Sequence, residues 1–568
     1  MSSAPEMFQR HRATLDAAVA ALSRRDYWTP YPETPSGKIY GETANADGRA
    51  AFEARRGKPF ALDRNGDQAA TVGTVGAEVS PYGGALGVQY PKPDLDKLLA
   101  AAKAAMPRWV AAGPEARVGV CLEILQRLNK RSFEIAYAIM HTTGQGFAMS
   151  FQAGGPHAQD RGLEAVAYAY AEMSRTPAEA RWTKPQGKAP ALVMEKSFHI
   201  VPRGIGLVIG CATFPTWNGY PAIFADLATG NAVVVKPHPN AVLPLAITVE
   251  IARAVLAEAG FDANLIALAA DTPEQPIAKD LAVRPEIAIV DFTGGAAFGD
   301  WVEANARQAE VFTEKSGVNA VILHSTDDFQ GLCRNLAFSL SLYSGQMCTT
   351  PQNLLLPKDG IDTNEGRKSL AEVEQGIAKA IQGLLGDAER AAEILGAIQN
   401  PATLKRLDEA ATLGKVVLAS TAPGHPRFPE ATLRTPLLVE VDAADEAAYA
   451  REMFGPIAFV VAARDIDDAI RRARRSAAAK GAITWSAYAT DSAVIERIEA
   501  AAIEAGVALS CNLTGGVFVN QAAAFSDFHV TGRNPAGNAA LTDAAFVARR
   551  FHVVQVRRPA APPPAAAA

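Results

Sequence analysis

Ile205-Gly206-Leu207-Val208-Ile209-Gly210 is an unbroken apolar run, and Ala232-Val233-Val234-Val235-Lys236 repeats the pattern one helix-length later. Short, β-branched runs without polar alternation are the pattern of strands buried on both faces, as in parallel sheets. Helical periodicity fills 244–259, and further strands are expected at 265–268 and 287–291, the latter leading into Gly294-Gly295. Strand and helix alternating in this way predict a doubly wound α/β unit. Working outward, a second set begins after Glu314, with strands at 320–323, 353–356, 416–418 and 457–462. Helices at 329–343, 369–384, 388–398 and 401–411 alternate with them, so a second α/β domain is predicted.

On the N-terminal side, helices are expected over 93–112, 114–141 and 160–174. The first ninety residues read as irregular, with turn-rich Trp28-Thr29-Pro30-Tyr31-Pro32 and Pro35-Ser36-Gly37, and are expected to wrap the body. Two alternating stretches, 193–201 and 551–557, read as long strands with an exposed side. A free edge of this kind invites pairing with a second copy. The Pro/Ala-rich residues 559–568 are expected to be disordered.

Bulk composition excludes several classes. The chain has 568 residues, 49% hydrophobic and 20% charged, which fits a globular protein of two or more domains. Its net charge of −5 comes without a basic stripe, so no nucleic-acid partner is expected. The five cysteines (Cys121, Cys211, Cys333, Cys348, Cys511) are odd in number and widely spaced. That argues against a disulfide framework or a metal cluster and for a reducing compartment. The N-terminus carries no basic-then-apolar leader, and no apolar run reaches the ~18–20 residues of a membrane span. A soluble, cytoplasmic protein without metal or membrane partner is the expectation.

The chemistry centres on Tyr343-Ser344-Gly345-Gln346-Met347-Cys348-Thr349, with Glu314 lying 34 residues before the cysteine (348 − 314). A thiolate is a strong nucleophile, and a carboxylate can activate water once a thioester has formed. Most single cysteines are simply buried, so the wider context decides. Phe214-Pro215, Gly230-Asn231 followed by 233–237, Phe292-Thr293-Gly294, Glu314-Lys315-Ser316-Gly317, Gly345-Gln346-Met347-Cys348 and Glu452-Met453-Phe454-Gly455-Pro456 occur in that order. Over roughly residues 90–558 the chain thereby resembles the NAD(P)-dependent aldehyde dehydrogenase superfamily. Phe-Pro-x-Trp at 214–217 and Phe525-Ser526-Asp527-Phe528-His529 resemble the phenylacetate-degradation (PaaN-type) branch.

The resemblance implies a Rossmann-type cofactor domain (91–190 and 203–313), an α/β catalytic domain (314–535) and a β oligomerisation arm (191–202 and 536–558) behind the 1–90 extension. It implies that Cys348 attacks the aldehyde, that hydride passes to a nicotinamide, and that Glu314 activates the water that hydrolyses the thioester. The family's oxyanion-hole Asn is replaced by Thr213, with Asn218 one turn on as the alternative donor. Lys236 is expected at the adenosine ribose. Phe292 and Thr293 are expected to bind the cofactor, the Gly294–Gly299 turn to lie under the pyrophosphate, Glu452 to hold the nicotinamide ribose and Phe454 to pack by the ring. Three residues beyond Lys236 stands Pro239, with His238 beside it and no carboxylate to exclude a 2′-phosphate, so NADP is expected over NAD. Trp217, Asn218, Tyr343, Phe525, Phe528 and His529 are expected to line the substrate entrance. The implied substrate is a CoA-linked semialdehyde from the opened aromatic ring, supplied by a separate ring-opening hydrolase. A homodimer or dimer of dimers is the implied assembly. An acylating dehydrogenase is disfavoured by Glu314, a silent nucleotide binder by the retained Cys348, Glu314, Lys236 and Glu452, and a cofactor-free cysteine hydrolase by the nucleotide-site residues.

Overall fold

The structure, a computed structural model, describes residues 3–63, 71–518, 524–541 and 543–560. Two sheets organise it. The first is wholly parallel, in the order Ile266–Leu268, Ala232–Lys236, Ile205–Ile209, Ile287–Gly294, Glu310–Lys315. Every residue of Ile205–Ile209 and Ala232–Lys236 is buried, as their unbroken apolar runs require. The chain winds outward from Ile205–Ile209 on one side and returns to Ile287–Gly294 on the other. The order therefore reverses between these two strands, and a crevice opens at their carboxyl ends.

The second sheet has seven strands in the order Lys415–Leu418, Leu437–Asp442, Ile457–Ala463, Asn353–Pro357, Ala320–Leu323, Thr484–Tyr488, Ala508–Cys511. Only the edge strand Lys415–Leu418 runs antiparallel. Helix Pro215–Thr229 lies between layers and is buried at every position. Trp109 Nε1 donates to its Leu227 carbonyl at 3.0 Å, and a side chain at Gly162 on the adjacent helix Ala158–Met173 would sit 2.7 Å from Phe224.

Several elements differ from the sequence expectation. The first ninety residues are not irregular throughout: Ala4–Arg24 is a helix capped by Ser3 and Glu6. It packs on helix Gly113–Lys130, where Gly119 leaves room for the Phe8 backbone. Its buried face combines Met7, Phe8 and Leu15 with His11 and three alanines (Ala4, Ala18, Ala21), an amphipathic pattern the turn-rich segments after it obscured. The expected helix 114–141 is two, Gly113–Lys130 and Ser132–Thr143. The projecting antiparallel sheet has three strands, Phe551–Pro559, Ala189–Pro202 and Glu179–Gln186. Glu179–Gln186 escapes the sequence reading because it is polar and carries Pro185 at an irregularity in the pairing. Pro559 ends a strand here; residues 561–568 of the expected tail lie outside the described residues.

Residues 536–541 and 543–550 pack with the body rather than the arm. Gly537 bridges to Glu314, and Arg550 is fully buried between Asp226 (2.6 Å) and Asp291 (2.5 Å). Gly206 is glycine for the same reason: a Cβ there would meet the Asp226 carboxylate. No helix among the described residues is long and apolar enough to cross a membrane.

Candidate active site

The crevice at the strand ends deepens into a cavity of about 520 Å³. Gly210, Lys236 and 292–295 line it from the first sheet, and Gln346 and Cys348 from the second domain. The loop that delivers Cys348 is strained. Tyr343, Ser344 and Gly345 take φ of 53°, 47° and 63° in succession, a left-handed run that non-glycine residues adopt only when held. It is held by the Tyr343 hydroxyl on the Thr143 carbonyl and by Ser344 Oγ on the carbonyls of Leu395 (3.0 Å) and Arg434 (2.9 Å). Gln346 Nε2 adds a bond to the Ala397 carbonyl at 3.0 Å. Gly345 is obligatory, since a Cβ would lie 2.2 Å from the Gly455 carbonyl oxygen. Tyr343 is thus a buried strut and does not line the substrate entrance. Asn319, unforeseen from sequence, anchors the far side by donating to the Cys348 carbonyl at 2.7 Å while accepting from Ile483 N.

Cys348 is partly exposed to the cavity. Burial first, and then the charge of Glu314, push its thiol well above the ordinary range. Glu314, at the end of strand Glu310–Lys315, is 1% exposed, accepts from Asn218 Nδ2 at 3.2 Å and lies 3.0 Å from His529 Nε2. Burial works against its charge, but His529, and behind it Arg161, hold the carboxyl below its usual value. His529 Nε2 is also 3.6 Å from the Cys348 sulfur. The His529 ring packs edge-on to Trp217 at 4.5 Å, with the Arg161 guanidinium 4.0 Å over the indole.

The other expected entrance residues divide. Asn218 reaches the site, from the first turn of the buried helix. Phe525 is fully buried, edge-on to Trp28 at 5.1 Å, and Phe528 is 49% exposed under Arg25, so neither lines the cavity. Thr213 lines it, but its side chain is hydrogen-bonded to the Cys211 sulfur and its carbonyl accepts from Gln145 Nε2 at 2.7 Å.

At the nucleotide end, Lys236 Nζ pairs with Asp271 at 2.7 Å, a carboxylate the sequence reading did not place there. Burial lowers the ammonium and Asp271 works to raise it. The NADP expectation rested on Pro239 in place of a carboxylate three residues beyond Lys236; Asp271 is a carboxylate on Lys236 from elsewhere in the chain, and it does not line the cavity. Phe292, Thr293 and Gly294 line the cavity as expected; Gly299 does not. It lies inside helix Ala296–Asn305 under the Lys315 side chain, because the helix begins at once after Gly295 and no 294–299 turn forms. Gly295 faces open space, with nothing within 4 Å of a would-be Cβ. Glu452 and Phe454 line the other wall, and Arg406, missed in the sequence, joins them and donates to the Phe454 carbonyl at 2.8 Å. Burial raises the Glu452 carboxyl against the pull of Ser316 and Arg406.

These features suit a dinucleotide: a lysine at a strand end, a helix N-terminus behind an open glycine, and a crevice where the strand order reverses. Comparison with known proteins agrees. The sequence model of the aldehyde dehydrogenase family matches residues 84–517. N-succinylglutamate 5-semialdehyde dehydrogenase of Chromobacterium violaceum is 28% identical over 66% of this chain and 73% of its own. Aldehyde dehydrogenase family 7 member B4 of Arabidopsis thaliana is also 28% identical, and the chain spans about half of its length (51%). The crystal structure of an NAD-dependent aldehyde dehydrogenase from Burkholderia multivorans superposes with a TM-score of 0.96 at 57% identity, over 98% of this chain and 99% of that one. A mutant of Thermus thermophilus 1-pyrroline-5-carboxylate dehydrogenase, at 18% identity and TM-score 0.74 over 94% and 99% of the chains, shares the fold. With the family's sequence pattern over most of its length and a near-superimposable relative among solved structures, the chain belongs to the aldehyde dehydrogenase family.

Proposed function

We propose that this protein oxidises an aldehyde to the carboxylic acid with NAD, through a thioester on Cys348. The observation that carries the reading is the convergence of the Cys348 sulfur, a Glu314 oxygen and a His529 nitrogen within 4.8 Å of one another, beside a cavity that Lys236 also lines. The Cys348 thiolate adds to the aldehyde carbon. An Asn amide carries two N–H groups; Glu314 takes one from Asn218, and the second serves the oxyanion, a role for which Thr213 is engaged elsewhere. When bound, the dinucleotide supplies the hydride acceptor, with Lys236 at its ribose and Glu452 and Phe454 at its nicotinamide. Glu314, kept anionic, then takes a proton from the water that attacks the thioester, and this frees the acid and the thiol.

NAD is favoured because Asp271 already neutralises Lys236 and leaves its charge less available to a 2′-phosphate. The solved relative at 57% identity is itself described as NAD-dependent. For substrate, the 214–217 and 525–529 motifs support a CoA-linked semialdehyde from phenylacetate ring cleavage, supplied by a separate ring-opening hydrolase. Among the relatives, one acts on a semialdehyde by its own description.

The test is reduced-cofactor production by the purified protein with NAD or NADP, over a panel of CoA-linked, aromatic and aliphatic aldehydes. The acid is expected as product, with turnover abolished in Cys348→Ala. Acyl-CoA formation on adding CoA would instead make it an acylating enzyme, and turnover surviving in Cys348→Ala would end the thioester reading.

A further inference from the structure

One titratable group at the centre of the site has no part in the reaction so far. His529 stands on the loop after residue 524, far in sequence from both Glu314 and Cys348, yet one nitrogen, Nε2, faces both: 3.0 Å from Glu314 Oε1 and 3.6 Å from Cys348 Sγ. We propose that His529 is the base that takes the Cys348 proton, so that the nucleophile is a thiolate–imidazolium pair and Glu314 is left for the water. This rests on Cys348 being the nucleophile.

The proton balance is simple. Before the transfer the ring is protonated at Nδ1, and its Nε2 lone pair, made more basic by the Glu314 carboxylate beside it, receives the proton. The S–H bond breaks, an Nε2–H bond forms, and only then does His529 donate an N–H to Glu314. The new N–H lies between the sulfur and the Glu314 carboxylate, and both anions stabilise the imidazolium.

Glu314 is a poor candidate for the same task. The Cys348 thiol also hydrogen-bonds Glu314, but the Asn218 amide donates to one carboxylate oxygen and His529 Nε2, once protonated, donates to the other, an arrangement that favours the carboxylate over the neutral acid. Nor can the thiol ionise unaided beside that carboxylate, since like charge and burial both oppose it. A cation between the two resolves the conflict. The charged and titratable groups facing the pair are Glu314 from its strand, Arg161 behind Trp217, and the Cys211 thiol beside Asn218. Arg161 stacks on the indole against which the His529 ring packs, and its charge reaches both Glu314 and Cys348; Glu314 is the carboxylate in contact with the ring.

The measurement is the rate of alkylation of Cys348 by iodoacetamide from pH 5 to 10, on the full chain without added nucleotide, read by peptide mass spectrometry. Wild type is expected to show a reactive shoulder below pH 8, where a lone buried thiol is silent. His529→Gln keeps an N–H for Glu314 but accepts no proton. It should lose the shoulder, reacting ~10-fold or more slowly at pH 7 yet within about 3-fold of wild type at pH 10. His529→Ala should regain pH 7 reactivity with added imidazole. Superimposable wild-type and His529→Gln profiles, or an alanine variant that is reactive at pH 10 but not rescued, would overturn the assignment. Turnover in Cys348→Ala separately reports whether the nucleophile reading itself holds.

Discussion

At the scale of single residues, the site solves a problem of crowded donors and acceptors. Where the family resemblance places an Asn this chain has Thr213, and in the proposed mechanism Asn218 supplies the amide from the next turn. Asn218→Ala should therefore lower kcat by ~10²–10³, the usual cost of one oxyanion donor, while Thr213→Val should cost under ~10-fold. Steady-state kinetics on the two variants checks this, and the reverse ranking would return the role to Thr213. A second expectation concerns Lys236. Freed of Asp271 in Asp271→Ala, its ammonium becomes available to a 2′-phosphate, and the ratio of kcat/KM for NADP over NAD should rise by ~10-fold or more. An unchanged ratio would show that Asp271 has no say in cofactor choice. Asp271 does not announce itself in sequence, and His529 does so only as an expected entrance residue, not as a partner of Glu314 and Cys348. Each is one polar residue in a loop, and only the fold brings it within 3.0 Å of its partner.

At the scale of elements, the N-terminal extension is tied to the nucleotide-binding sheet through a buried carboxylate. Glu78 Oε1 accepts from the backbone N–H of Val242 (2.6 Å) and Leu243 (3.0 Å), at the start of helix Leu243–Glu258, and Tyr90 donates to its other oxygen. Burial pushes the Glu78 carboxyl up to about 7, against these hydrogen bonds. A folded-state value above the unfolded one means that the native chain holds the proton more tightly. The contribution to stability is full below about pH 4.5 and is lost as pH rises through 7. Glu78→Gln keeps an acceptor for the helix N–H groups and removes the titration. Its Tm should exceed that of wild type at pH 8 and converge with it towards pH 5, by differential scanning fluorimetry. Parallel wild-type and variant curves across that range would refute the assignment.

At the scale of the whole molecule, the three-stranded sheet stands out from the body. Phe551–Pro559 is one of its two edge strands, exposed at nearly every position, with Val553, Val554 and Val556 between 37% and 48% exposed. Unpaired strand edges bearing apolar side chains are association sites unless blocked. We propose that this edge meets a second copy of the chain. The double variant Val554→Glu, Val556→Glu should fall to monomer mass in light scattering while keeping its circular dichroism. An unchanged mass would place the contact elsewhere.

Sequence alone determined what depends on local composition: the buried parallel strands from unbroken β-branched runs, the long alternating strands, and the motif order that places Cys348, Glu314 and Lys236. Burial on both faces leaves a mark in every residue of a strand, so it survives without a structure. Tertiary structure decided what depends on meeting. It turned Tyr343 and Phe525 from entrance residues into struts, put Gly299 inside a helix, and set Gly537 and Asn538 against the strand of Glu314. It also carried His529 across 181 residues of chain to the cysteine. A buried aromatic and a pocket aromatic look alike in sequence, and so do a solvated histidine and a proton acceptor. What separates them is the distance to a partner, which no single residue encodes.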